Sequence, residues 1–203
     1  MIRLFLKAKH WQLFVLMIGI PLLYQLYFLF QIWGYKLNPE PVANENGFSE
    51  VLNERFLQLD LMFPVLMIFF SLLFFGWFWS IAIGLQPKIP PQVKMKVKKF
   101  KVFFFIPFLY IIFLMMYLGG LFSGLGTNGF GNGFWIISIM LPLHFLSMFC
   151  IFYSLYFVAK TIKTAELQRE VNFGDFAGEF FLLWFYFVGI WIIQPKVNKL
   201  YAA

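Results

Sequence analysis

The sequence predicts an all-α polytopic transmembrane helix bundle, and three observations predict it. Of 203 residues 62% are hydrophobic and only 12% charged, whereas a water-soluble domain carries roughly 45 to 50% apolar and about 25% charged residues. The charge-free stretches are long enough to cross a bilayer, and the lysines gather on alternate connections between them. The same arithmetic excludes a disordered chain, a collagen, a disulfide scaffold and a soluble enzyme. Cys150 is the single cysteine, so no intrachain disulfide exists.

The first span is predicted at about residues 11–34. Trp11 to Tyr35 is 25 residues without a charge, and about twenty residues of helix cover the roughly 30 Å hydrocarbon layer. Three cations precede it and no small-residue cleavage site follows, so a retained helix is expected and not a removed leader. Leu61 to Pro87 gives a second span at about 61–85. From Val102 to Ala159 runs a stretch of 58 uncharged residues, enough for two spans, about 102–124 and 134–159. Glycines crowded between Gly119 and Gly133 mark the turn between them, and Gly120 and Gly124 make a small-xxx-small pair. A fifth segment, about 176–194, has only 14 apolar residues from Phe180 to Ile193. Extended back to Phe173 it is a full span; otherwise it is a re-entrant or interfacial helix.

Orientation follows from the cations, which are costly to translocate. Arg3, Lys7 and Lys9 precede span one; Lys88, Lys94, Lys96, Lys98, Lys99 and Lys101 fill the second connection; Lys160, Lys163 and Arg169 fill the fourth. These are expected inside, with the amino terminus cytoplasmic. The first connection is acidic and the Gly-rich third uncharged, so both are expected outside. Lys196 and Lys199 of the tail fall outside after five spans and inside if segment five folds back. GLQPKI at the end of span two echoes IIQPKV at the end of segment five, which favours a cytoplasmic tail if both ends solve one interfacial problem.

Few side chains carry chemistry. Pro21 and Pro142 lie deep in their spans, where a missing N–H frees a carbonyl and bends the axis; they are hinge candidates, or passive packing. Pro64 and Pro107 are expected near span starts, where that loss is harmless. His144 is the mid-span ionisable group, and such groups default to a functional hypothesis. Its partner candidates are Gln25, Gln31, Tyr24, Tyr27, Tyr110, Tyr117 and Tyr153, none of them an acid. A neutral histidine bonded to a neighbouring helix is therefore favoured over a proton relay. Two histidines and one cysteine cannot build a metal cluster, no phosphate-cradling motif occurs, and no cofactor, catalytic group or nucleic-acid partner is expected.

Two features at the predicted cytoplasmic side are more informative. In KIPPQVKMKVKKFK the lysines, Lys94, Lys96, Lys98, Lys99 and Lys101 among them, suit anionic lipid or an acidic cytosolic partner. In VNFGDFAGEF, Asn172 can cap a helix whose Phe173, Phe176 and Phe180 share one face. Asp175 and Glu179 share another, either solvated or answering the lysines of the second connection. MIRLFLKAKHW reads as an amphipathic interfacial start with Trp11 at the boundary.

FLKAKHWQLF at one end and GEFFLLWFYFVGIWIIQPKVNK at the other resemble the ends of small polytopic inner-membrane proteins that recur in Bacteroidota, a group that brings no activity to carry over. The interfacial start and basic second connection are more loosely similar to membrane subunits of ABC-2 type exporters, which keep both termini cytoplasmic and dock an ATPase. That family has six spans and a late outer loop; here there are four or five, with the hydrophilic loop after span one. Kinked spans, the inner basic connection and the interfacial first helix point to a bacterial inner-membrane, non-enzymatic, permease-like subunit of a transport complex; the aromatic, uncharged surfaces point instead to a structural or assembly subunit of a membrane complex.

Overall fold

The computed structural model describes residues 2–37, 45–118 and 134–202, with side chains omitted at 31, 32, 34–37, 45–62, 118 and 134–137. The Gly-rich turn, the Gly120/Gly124 pair, the end of predicted span three and part of the acidic loop lie outside the described residues.

Among the described residues the chain is helical, without strands. Helix α1 is Ile2–Lys7 and α2 is His10–Phe14. A π-helical turn over Val15–Gly19 leads into α3, Ile20–Leu37. Then come α4 (Glu45–Gly84), a 3₁₀ turn at Gln86–Lys88, α5 (Val97–Leu118), α6 (Phe134–Leu167), α7 (Phe173–Trp184) and α8 (Tyr186–Ala202). Four helical stretches are long and apolar enough to cross a membrane: His10–Phe30, Phe63–Lys88, Val97–Tyr117 and Ser138–Leu167.

Boundaries moved where charge was read as an end. Helix α4 begins at Glu45, because Phe48, Leu52, Phe56 and Leu59 recur at helical spacing through its polar first half. Pro64 is the second residue of the apolar span Phe63–Lys88, yet both it and Pro107 are inside continuous helices and not at helix starts. Helix α5 begins within the lysine run, and α6 passes Lys160 and Lys163 to Leu167. Lysine and glutamate are good helix formers, so a charge marks where a helix leaves lipid, not where it stops.

Helices α4, α5 and α6 form the core. Lipid is as apolar as leucine, so close van der Waals contact must hold such helices, and interlocked rings supply it. Phe100 stacks on Phe157 at 4.5 Å and 16°, while Phe104 meets both Phe75 and Trp79 at 5.2 Å. Ser147, Ser154 and Thr161 follow one another at seven-residue spacing on α6, all buried. Their small side chains admit close approach, and the last two bond their own helix carbonyls, Ser154 to Cys150 and Thr161 to Phe157.

The fifth segment is broken. Phe185, at φ −87° and ψ 57°, leaves the helical region and separates α7 from α8. The break is the tip of a hairpin. Tyr186 meets Phe70 and Phe74, and Trp184 meets Phe152. From Gly84 to Phe74 is about 15 Å of helix, half of a roughly 30 Å hydrocarbon layer. At Gly189 a Cβ would strike the Leu182 carbonyl oxygen, so only glycine lets the two arms lie this close.

Candidate functional site

The charged side chains described gather at one end of the bundle, and the hairpin brings those of the tail there. Gln194 of α8 is fully buried. Its Oε1 accepts the indole N–H of Trp77, also fully buried, at 2.8 Å. Its Nε2 donates to the carbonyls of Phe5 at 2.7 Å and Ala8 at 2.9 Å and to Asn198 Oδ1 at 2.8 Å. Asn198 donates to Ala8 as well, at 3.1 Å. One amide thus ties α4 and α8 to the carbonyls exposed where the chain turns from α1 into α2. Helix α1 lies across the end of α4, because Gly84 has no Cβ to meet Leu6 and Ile2, and Leu6 is buried there.

Beside this knot is a four-charge cluster. Glu179 is only 7% exposed, and its Oε1 accepts from Lys196 at 2.7 Å and Lys163 at 3.3 Å. Glu166 faces the same lysines at 2.7 and 2.9 Å. Burial works to raise the Glu179 carboxyl; hydrogen bonding and charge from Lys196, with charge from Lys163, outweigh it and hold the group below its ordinary value. Asp175 points elsewhere. It accepts the Asn172 backbone N–H at 2.9 Å, closing the capping box at the start of α7, and pairs with Arg169 at 3.1 Å. The Asn172 N–H and then Arg169 lower its pKa. The two carboxylates therefore do not act as a pair. Their partners are Lys163, Lys196 and Arg169, not the lysines of the second connection, because the hairpin folds the tail back onto α6.

The lysine run divides. Lys94, Lys96 and Lys98 point outward. Lys99 lies over Phe103 and Tyr153, at 5.3 and 5.2 Å, and Lys101 over Trp79 at 5.8 Å. These two lay their stems along the aromatic rim and present their charge at its edge.

His144 is exposed on α6 and meets Tyr110 of α5, Oη to Nδ1, at 3.4 Å. The acids whose side chains are described, Glu166, Glu170, Asp175 and Glu179, all belong to the other end. Glu166 is twenty-two residues along the same helix, about 33 Å, far beyond a proton hop. The arrangement is a histidine bonded to a neighbouring helix. Pro142 sits within uninterrupted α6. Pro21 directly follows the π-turn, in which Ile20 N–H reaches back to Val15 O. Such a widened turn absorbs the bend that the proline demands.

The QPK echo is not structural. Gln86 caps its own helix at Ala82 O, whereas Gln194 is the buried knot. Sequence reading missed Gln194 and Trp77; a glutamine at the edge of an apolar run was the available signal. Among the described residues no group of His, Cys, Asp and Glu can hold a metal. No family model, curated protein or solved structure matches the chain.

Proposed function

We propose that the chain is a non-enzymatic, multi-pass subunit of a multi-protein membrane complex in the bacterial inner membrane, with both termini cytoplasmic and α3 facing its partner. One observation carries this reading. The base of span one is anchored, His10 and Phe14 against Trp191 at 4.7 and 5.3 Å. Beyond the π-turn, α3 leaves a broad apolar face open, with Leu23, Phe30 and Trp33 exposed by 67, 70 and 66%. A spanning helix anchored at its base with one apolar face open suits packing on another helix. The basic rim gives the subunit its anionic-lipid contacts and its inside orientation.

The test is photo-crosslinking in the native membrane from positions 23 and 30, with Leu109, an equally open site on α5, as the lipid-facing comparison. A discrete protein adduct from α3 alone supports the reading. Identical lipid-only adducts at all three positions end it.

A permease-like subunit of a transport complex is the second reading, favoured by the joint of the π-turn and Pro21, which lets α3 swing on a fixed base. It requires an energised partner such as an ATPase to co-purify with the detergent-solubilised chain. Repeated recovery of the chain without one removes it.

A further inference from the structure

We propose that the groove between α4 and α5, closed at the charged end by the first residues of α1, holds one acyl chain of an anionic phospholipid whose phosphate is taken by Arg3 and Lys101. The groove has a volume of about 680 Å³, within the roughly 300–1,000 Å³ of ligand pockets. Its walls are Leu72, Phe75 and Trp79 from α4 and Phe104, Phe105 and Phe108 from α5. Leu72 to Ser80 is about 12 Å of helix, most of one leaflet of a roughly 30 Å hydrocarbon layer.

Polarity runs along its length. The deep end is aliphatic and aromatic; the shallow end carries Ile2, Arg3 and Ser80. The Ser80 hydroxyl is committed to the Gly76 carbonyl at 2.7 Å, so the walls suit a hydrocarbon tail and not a polar solute. Arg3 is exposed at the mouth, and Lys101 lies over the ring of Trp79, itself a wall residue, at 5.8 Å. Among the described residues neither cation has a carboxylate partner, whereas Lys163 and Lys196 are neutralised. Two open cations at the shallow end of an apolar slot complement an anionic headgroup above a single tail. This site does not depend on what α3 meets.

The experiment uses the full chain, purified in mild detergent, exchanged into phosphatidylcholine nanodiscs and titrated with phosphatidylglycerol, with retained lipid read by native mass spectrometry. One phosphatidylglycerol per chain is expected in preference to phosphatidylcholine. At about 1 kcal/mol per cation, Arg3→Gln or Lys101→Gln alone weakens retention about fivefold and the pair about thirtyfold. Lys98→Gln, an exposed lysine on the same helix, leaves it unchanged, and Leu72→Trp, which fills the deep end, lowers retention of both lipids. Unchanged melting temperatures of the exposed-cation variants establish that they fold. Equal losses with Lys98→Gln reduce the effect to diffuse surface charge and overturn the proposal. So does undiminished retention in the double variant, or displacement of the lipid by inorganic phosphate alone.

Discussion

Gln194→Leu should cost far more than its conservative volume suggests. The substitution leaves the Trp77 N–H without a partner in a buried setting. The Phe5 carbonyl keeps the Ala8 N–H and the Ala8 carbonyl keeps the Asn198 amide. An orphaned buried group costs about 1–3 kcal/mol. A central value of about 2 kcal/mol corresponds to a fall in melting temperature of about 4–8 °C for a chain of this size. The assay is thermal unfolding in detergent, run as a double-mutant cycle with Trp77→Phe. Either single change strands a polar atom of the other residue, and the double change strands neither. The pair should therefore be sub-additive by at least about 1 kcal/mol. A Gln194→Leu penalty under about 0.5 kcal/mol, or additivity within that margin, refutes the claim that this amide ties the termini together.

Glu179→Gln leaves Lys163 and Lys196 to share Glu166 alone and should cost about 3 kcal/mol at neutral pH, since breaking a buried ion pair strands its partner. The folded pKa of Glu179 is depressed. Its ionic contribution is thus fully present above the ordinary carboxylate value of about 4.3 and lost as pH falls through the folded value. Unfolding midpoints of wild type and variant should accordingly converge on acidification; a constant gap contradicts the assignment. Gly189→Ala should force the hairpin arms apart, because the new methyl meets backbone and not a movable side chain. Labelling of a cysteine placed at buried Ile193 should rise by at least about fivefold, given a strain of order 1–3 kcal/mol; unaltered labelling would show that the arms are not so closely packed.

The four spans were legible because hydropathy and length alone decide them: a bilayer of fixed thickness asks for about twenty apolar residues. Helix ends were less so, since Lys98, Lys163 and Glu166 are helical yet mark the lipid boundary. The Asn172 cap at the start of α7 was readable from local spacing, and of its phenylalanine face Phe176 is buried while Phe173 is exposed; the return bond from the Asn172 N–H to Asp175 was not read. Segment five left two readings open because 14 apolar residues suit either. What decides it is a break at Phe185 and the absence of a side chain at Gly189, neither of which hydropathy registers. The partners of Glu179 and Gln194 were not readable. Apart from Asn198, they lie 16 and 17 residues away for Glu179 and 117 to 189 for Gln194, and only the hairpin brings them together.

The hairpin also removes the conflict over the tail. Four crossings are an even number, so a chain that then enters and leaves by one face ends on the side where it began. The bond from Gln194 to the Phe5 carbonyl places the two terminal regions together without reference to charge rules. Lys196, which five crossings would carry away from the amino terminus, stands instead against Glu166 and Glu179 at the lysine-rich end. Mechanical consequences follow from the same placement. The amide knot and the four-charge cluster lock α1, α4, α6 and both hairpin arms at that end, so relative motion of those parts requires breaking buried polar contacts. Helix α3 touches α4 above its π-turn but leaves Leu23, Phe30 and Trp33 open, so another helix can pack there in place of lipid. The element with the least internal reason for its position is therefore the one whose position a neighbouring protein can set.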